Sequence, residues 1–490
     1  MYSKKEYERK IVKLEKFLQE KEKKLSGRIK ESQTLRKELK YLRRRLKGLT
    51  QSRDSWKAKH KSKQLKIKLL KGTINRQGKA KRHQYPIWLV ALCVRLRIDA
   101  GSSYESICKI LVILQTSFHL SLPKLPCANT IQNWVSKVGL YSMKNMDADL
   151  ENKELSLIPD ESIRLGEEKQ LLILAVPWQK QKQRALSFED VKVVYMKGSK
   201  SWDGVKISKV IDELKAKRGF EVKNVLSDEN GNLKKAARLS GLVHLPEISH
   251  VVATCLRRTF GQDSDYKAFT KTIASYQSRG VNQDLSYLCP PKQRTKARFM
   301  NQQGIVNWAE KMLKRFEGLN QKEKEFFSQL AQHQAIITVL ATCLSIAKKV
   351  SLLFKQLGLS GKTLGQAREI IKTVDRKEAY VNTFLKHLEG YLAQYQQFMN
   401  EHGEGSVHAS SEIIESMFGK YKDKANNYAL TGITNLNLEL PLYCLEQENL
   451  TALIPFALEN TFMSHLEKWK NEHSTDNQLV KRIKFFKKRA

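Results

Sequence analysis

The sequence predicts a mixed α/β protein whose sheet is split by a large all-helical segment and preceded by strongly basic helical sequence. Three observations predict it. Apolar residues keep a heptad spacing from Tyr7 to Leu49, short β-branched runs alternate with capped helices between 155 and 260, and helical periodicity resumes from about 262 to 405. At 490 residues the chain has room for two to four domains of roughly 150 residues. Hydrophobic residues at 41% and aromatics at 8% exclude wholesale disorder. No apolar run approaches the ~18–20 residues of a membrane span, and the lysine-rich start lacks a signal peptide's apolar stretch. Seven scattered cysteines without a CxxC pair argue against a disulfide framework or structural zinc. A formal charge of +38 suits a polyanionic partner, most often nucleic acid.

The charge is concentrated at the start. Residues 1–84 hold 30 Lys and Arg against 8 Asp and Glu, a net of +22, which leaves +16 for the other 406 residues. In the heptad, Ile11, Leu18, Leu25, Leu39 and Leu46 take a positions, and Tyr7, Leu14, Leu35, Leu42 and Leu49 take d positions. Ser32, Lys21 and Arg28 interrupt the seam, and Gly27 weakens the helix between them. This pattern suits a coiled coil that pairs chains, giving a homodimer or higher homo-oligomer; the plainer reading is one long solvated helix. From Ser52 to Arg82 the heptad fades into KAKHKSKQLKIK-type sequence, either a basic arm on phosphates or an exposed linker.

Residues 85–150 read as a small helical domain. Pro86 opens IWLVALCVRLRI, Ser102 or Ser103 caps YESICKILVILQTSF, and Asn129 caps TIQNWVSKVGLY after a proline-bearing connection. The last helix carries Thr130, Gln132, Asn133 and Lys137 on its polar side and Trp134, Val135 and Val138 on its apolar side. That arrangement fits a helix-turn-helix-like DNA-binding unit, with the four polar residues facing bases or backbone, and equally a plain three-helix bundle.

Between 151 and 261 the period changes. SLIPDESI and QLLILAVP read as a hairpin about Gly166, and VKVVYMKG as a third strand. Asp203 caps a helix closed by Gly219, VKNVLSD is a fourth strand followed by a helix from about Asn232, and HLPEISHVV is a fifth strand running into ATCLRRTF. The order βββαβαβα describes an RNase H-like sheet, a meander extended by parallel strands through helical crossovers. Asp160 on the first strand and Asp228 at the end of the fourth would then converge. Residues 262–405 form an all-helical insertion, because SSEIIESMFGKYKDK, within 406–430, belongs back with the sheet. Its Glu412 and Glu415 lie three apart and Glu415 and Lys422 seven apart, close to one helix face. Residues 431–490 read as a C-terminal helical region ending in the basic tail KRIKFFKKRA.

The residues Asp160-Glu-Ser, Leu-Ser-Asp228-Glu-Asn-Gly-Asn-Leu-Lys-Lys, Ile-Ser-His250, Arg298-Phe-Met-Asn with Asn-Trp308-Ala, and Ser-Glu-Ile-Ile-Glu415-Ser-Met-Phe-Gly-Lys, in that order, resemble bacterial insertion-sequence transposases of the DDE type. The resemblance covers about 85–425, and the Glu415–Lys422 spacing matches it. It implies an RNase H-like catalytic core with a large all-α insertion, an N-terminal DNA-binding region, and action on double-stranded DNA at element ends and target. It also implies a bacterial cytoplasmic, nucleoid-associated setting. Pro159 removes a ladder donor directly before Asp160, which points to an edge position, a bulge or a different first aspartate. Asp203 is a weaker substitute, since capping explains it. Glu161 either crowds the site or faces away, and Glu412 competes with Glu415.

The implied chemistry is strand cleavage and joining. Two Mg²⁺ ions, with Mn²⁺ as a substitute, activate a nucleophile and stabilise a leaving 3′-oxygen; Asp160 bridges them while Asp228 and Glu415 hold one each. Water frees a 3′-OH, which then attacks target DNA. Lys422 is a candidate phosphate contact, or a solvated neighbour. His250 is a candidate for orienting DNA or a metal-bound water, or a core histidine. Trp308 is a candidate for stacking on a base, or a helical-core residue. No GxxxxGK[ST] occurs, so no nucleotide cofactor is expected. The other expectations are a DNA-binding descendant that has lost catalysis, and a nuclease of the same fold that cleaves without joining.

Overall fold

The computed structural model describes residues 4–76, 78–118, 124–145, 150, 153–165, 168–180, 182–280, 284–293, 298–402, 405–425, 433–476 and 478–487. The chain divides into two compact units, Met1–Gly78 and Lys79–Ala490.

The first unit is one helix, α1, Lys4–Arg76. It runs through Gly27 without a break and carries the basic stretch beyond Ser52 in helical form as far as Arg76. Its apolar seam has nothing upon it: Ile11, Leu18, Leu35 and Leu46 are each more than half exposed. Tyr7 and Ser32 lie outside the described side chains. The expected boundary at 84 moves forward to 78, because Lys79 bridges to Pro86, Ala80 is buried and His83 Nε2 donates to the Leu458 carbonyl at 3.1 Å.

The second unit opens with α2 (Ile87–Ile98), α3 (Tyr104–Phe118) and α4 (Ala128–Asn145). Pro86 sits at the N-cap of α2, and Ser103 Oγ accepts the Ser106 amide at 3.0 Å to start α3. Helix α4 begins one residue before the expected cap Asn129; the Cys127 carbonyl accepts from Thr130 and Ile131 in its first turn. Three helices do not finish this core. Leu450, Ile454, Ala457 and Leu458 of α16 (Gln447–Asn460), which follows the short α15 (Leu440–Tyr443), are buried in the same cluster as Leu89, Val90, Trp134 and Val135. Helix α4 is therefore interior, packed on by α2, α3 and α16. Gly139 of α4 lies so close to the Leu438 carbonyl that an added Cβ would collide with it.

The sheet is a single five-stranded mixed sheet in the order β3-β2-β1-β4-β5. Its strands are β1 (Glu154–Leu165), β2 (Glu168–Pro177), β3 (Lys192–Ser199), β4 (Glu221–Ser227) and β5 (Val243–Pro246). β1 to β3 form an antiparallel meander; β4 joins β1, and β5 joins β4, in parallel. The crossovers are α5 (Gly204–Arg218), capped by the Asp203 side chain and closed by left-handed Gly219, and α6 (Gly231–Leu239). One sheet face packs on these two helices through Leu155, Leu157 and Val225. The other face, through Ile158, Leu172 and Leu226, packs into the larger core with α7 (Ile248–Phe260) and the insertion. The hairpin turn at 166–167 lies outside the described residues.

The fifth strand is shorter than expected. Pro246 supplies no amide to the ladder, and the buried Glu247 side chain accepts from the His250 amide at 2.7 Å. Residues 248–252 are therefore the first turns of α7, and His250 stands on a helix.

The insertion comprises α8 (Ser264–Gly280), α9 (Gln302–Arg315), α10 (Gln321–Phe327), α11 (Gln334–Leu357), α12 (Gly361–Lys372) and α13 (Ala379–His402). Within Gln321–Leu357 an 18-residue window is by length and composition apolar enough to span a membrane, contrary to the sequence expectation; 56% of that window is buried inside the protein. The chain returns to the sheet at α14 (Glu412–Ala425). Residues 426–432 lie outside the described residues. Beyond them, Glu439, 3% exposed, accepts from Arg97 Nε at 2.8 Å, Tyr104 Oη at 2.6 Å and Lys424 Nζ at 2.5 Å. This buried carboxylate ties α2 and α3 to the last turn of α14.

Gly139→Ala should destabilise the second unit by about 1–3 kcal/mol, since a backbone carbonyl cannot rotate out of the way as a side chain can. Thermal unfolding should show a lowered Tm; an unchanged Tm would mean that α4 does not approach Leu438 this closely.

Candidate active site

The two aspartates are aligned by strand register. The last parallel pair between β1 and β4 is Leu157 with Val225, and Asp160 and Asp228 each lie three residues further on. Counting by alternation, both fall on the face shared with Ile158 and Leu226, toward α7 and the insertion. Pro159 lies beyond the β1–β4 ladder, so an amide missing there breaks no parallel pair, and the β1–β2 register shifts between Asp160 and Ile163. The bulge that the proline suggested is thus present immediately after the first aspartate. Asp228 ends β4 in a tight turn: its Oδ1 accepts the Asn230 amide at 3.1 Å, and its carbonyl accepts from His244 Nε2 at 3.1 Å.

Helix α14 packs against β1 and brings Glu415 to the same region. Asp160, Asp228 and Glu415 are close enough to sense one another. Burial, followed by the Asp228 charge and then that of Glu415, raises the Asp160 pKa to about 7. Glu415 reaches solvent, yet the protein around it desolvates its carboxyl. That effect, with the charges of Glu247 and Glu412, raises its pKa against the opposing pull of His250 and Lys422. Among the described residues no three His, Cys, Asp or Glu side chains are grouped tightly enough to chelate a metal outright. The three acids form an open cluster.

His250 is the cation facing them. Burial alone would lower its pKa, but the hydrogen bond and charge of Glu247, together with Asp228 and Glu415, raise it to about 9. Its Nδ1 lies 3.1 Å from Glu247 Oε2. Glu247 is 1% exposed and also accepts from Ser410 Oγ at 3.2 Å, just ahead of α14. Sequence reasoning passed over Glu247 because the segment was read as strand; a glutamate three residues before a histidine, directly after a proline, was the signal of a helix start.

The two competing glutamates separate. Glu412 accepts from Lys355 Nζ at 2.5 Å and from Ser249 Oγ at 2.7 Å, so it joins α14 to α11 and α7. Glu415 keeps no such partner on the insertion among the hydrogen bonds described, and shares a face with the exposed Lys422 two turns along. Glu161 faces away from Asp160, accepting from Lys169 Nζ at 3.3 Å and Asn230 Nδ2 at 3.2 Å. Asp203 is a helix cap, accepting the Val205 and Lys206 amides at 3.0 and 2.9 Å. The insertion touches the site through α13, where Tyr391 Oη donates to Glu229 at 2.6 Å, one residue after Asp228.

Two other groups of candidate residues have these surroundings. Trp308 is engaged within the insertion rather than offered for stacking: its indole N–H donates to the Leu288 carbonyl at 2.8 Å and its ring packs on Tyr276 and Phe327. Thr130, Gln132, Asn133 and Lys137 are half-buried, because α16 and the 435–439 turn cover much of α4; burial lowers the Lys137 pKa. Only a narrow polar edge of this helix reaches the surface.

No protein-family model matches the chain, and no curated protein matches it.

The Glu247–His250 pair has a measurable signature in metal-free protein. A folded pKa of about 9 against an ordinary 6.5 means that His250 contributes stability fully below about pH 6.5, a contribution lost as the pH rises through 9. In Glu247→Gln, NMR should find the imidazole titrating nearer 6.5, and the fall in stability across that window should flatten. A titration still near 9 would show that Glu247 is not its cause.

Proposed function

We propose that the chain is a DNA strand-cleaving and strand-joining enzyme of the DDE transposase kind, built on an RNase H-like core with an all-helical insertion. The observation that carries this reading is the placing of Asp160 and Asp228 at equal height on adjacent parallel strands, with the Glu415 helix packed against the first of them. The strand order 3-2-1-4-5 and the helical block between the second aspartate and the glutamate support it. So does the net charge of +38 around an acidic cluster, since carboxylates facing phosphate need cations between them.

The donor set fits magnesium chemically: it consists of carboxylate oxygens, and burial followed by the charges of Asp228 and Glu415 raises the Asp160 pKa, a cost that a divalent cation relieves. Asp160, Asp228 and Glu415 would hold two Mg²⁺ ions, which when bound activate the attacking oxygen and stabilise the leaving 3′-oxygen. His250, kept protonated by Glu247, presents a positive charge beside the acids and is suited to a phosphate oxygen. Lys422, exposed on the outer face of α14, extends that contact along the DNA. Glu412 and Lys355 hold α14 against the insertion and so fix where Glu415 stands. Double-stranded DNA is the proposed substrate, and pairing of chains through α1 the proposed assembly.

Asp228→Asn and Glu415→Gln should each lower metal-dependent DNA cleavage more than about a hundredfold while leaving DNA binding intact. Glu412→Gln should instead lower Tm and spare most of the cleavage. Unchanged cleavage in Asp228→Asn would sink the proposal. Cleavage without joined products in a strand-transfer assay would assign a nuclease. DNA binding without any Mg²⁺ binding would assign a non-catalytic DNA-binding protein.

A further inference from the structure

The exposed seam of α1 carries an orientation in its sequence. Nine large apolar side chains between Ile11 and Leu49 are each at least half exposed on one helix face, which is more unpartnered apolar surface than a solitary helix keeps in water. From the seam and its flanking charges we infer that its occupant is the α1 helix of a second copy, lying antiparallel, with the two-fold axis near position 30.

The core positions decide the direction. In a parallel, in-register pair every seam residue meets its own copy, so Lys21 faces Lys21 and Arg28 faces Arg28, two layers of buried like charge. Turning one helix around so that paired positions sum to 60 removes both. Ile11 then meets Leu49, Leu14 meets Leu46, Leu18 meets Leu42 and Leu25 meets Leu35. Lys21 lies against Leu39, which covers its aliphatic stem while the ammonium reaches water at the helix edge. Arg28 no longer faces a cation.

The flanks agree. Reversal brings e positions beside e positions and g beside g. Glu15 thereby meets Arg43, Glu22 meets Arg36, and Lys24 meets Glu38, each twice by symmetry. Flanking charges would also satisfy a parallel pair, through Lys10 with Glu15, Glu31 with Arg36 and Glu38 with Arg43, and reversal sets Glu31 beside its own copy, so it is the core that selects the antiparallel form. At 1.5 Å per residue the paired stretch from Ile11 to Leu49 is about 57 Å long, and the two Arg76 ends of α1 point in opposite directions about 140 Å apart. Such a dimer fits the bridging of separated sites. The inference concerns α1 alone and stands whatever the chemistry of the second unit.

The test uses two full-length charge variants. One carries Glu15→Arg and Glu22→Arg, the other Arg36→Glu and Arg43→Glu. In the antiparallel pair each variant alone sets four like-charge contacts against itself, and the mixture makes all four complementary. Sedimentation should find each variant's self-association weakened at least tenfold and the equimolar mixture restored to a heterodimer. A parallel pair gives no such rescue, because mixing leaves as many repulsive flanking contacts as attractive ones. Leu14→Cys and Leu46→Cys chains check the layers directly: oxidation of the mixture should join position 14 to position 46, with no 14-to-14 product from Leu14→Cys alone. A 14-to-14 disulfide, absence of rescue on mixing, or a wild-type chain that stays monomeric at micromolar concentration would overturn the inference.

Discussion

The register between β1 and β4 is the constraint on which the proposed site depends. Among the described strands β1 alone is bordered by an antiparallel and a parallel neighbour, β2 and β4, so it joins the meander to the crossover half of the sheet. Its ladder with β4 stops at Leu157 and Val225, and Asp160 and Asp228 each lie three residues past that last pair. A one-residue slip of either strand would turn its aspartate to the opposite face, among Leu155, Leu157 and the packing of α5 and α6.

Everything around this strand end serves to complete or hold it. The charge of three nearby carboxylates is unfavourable in a half-buried setting, and it is opposed by His250, anchored by Glu247, and on the Glu415 side also by Lys422. Glu247 in turn reaches Ser410, so the element that charges His250 also fixes the approach to α14. The insertion holds α14 through Lys355 and the turn after β4 through Tyr391, while Glu439 joins the far end of α14 to α2 and α3. The buried Glu439 carboxylate therefore holds the N-terminal helical cluster against the helix that carries Glu415.

Much of this was legible in the sequence, for identifiable reasons. The strands and their crossovers could be read because β-branched runs ended at capping residues, Asp203 and Gly219 most clearly, and topology rules then set the strand order. Asp160, Asp228 and Glu415 could be grouped in advance because Asp160 lay on the first strand, Asp228 closed the fourth and Glu415 stood in the first turn of a capped helix. Long-range packing was not legible. Nothing local in Thr130-Ile-Gln-Asn-Trp announces that α16, more than 300 residues on, covers this helix, nor that Trp308 spends its indole on a carbonyl. The choice between Glu412 and Glu415 depended on Lys355 and Ser249, which are remote in sequence from both. The misread fifth strand had a local cause: Pro246 ended the strand where a run of apolar residues suggested that it continued.

The central claim is that Asp160 and Asp228, just past the end of the β1–β4 ladder, form a divalent-cation site with Glu415. Titration of the full-length protein with Mn²⁺, followed by electron paramagnetic resonance, tests it without any knowledge of the DNA sequence recognised. The account predicts two bound Mn²⁺ per chain, displaced by Mg²⁺ and lost in Asp160→Asn while the fold persists. Stoichiometric binding that survives Asp160→Asn, or no binding by the wild-type chain with or without DNA, would contradict it.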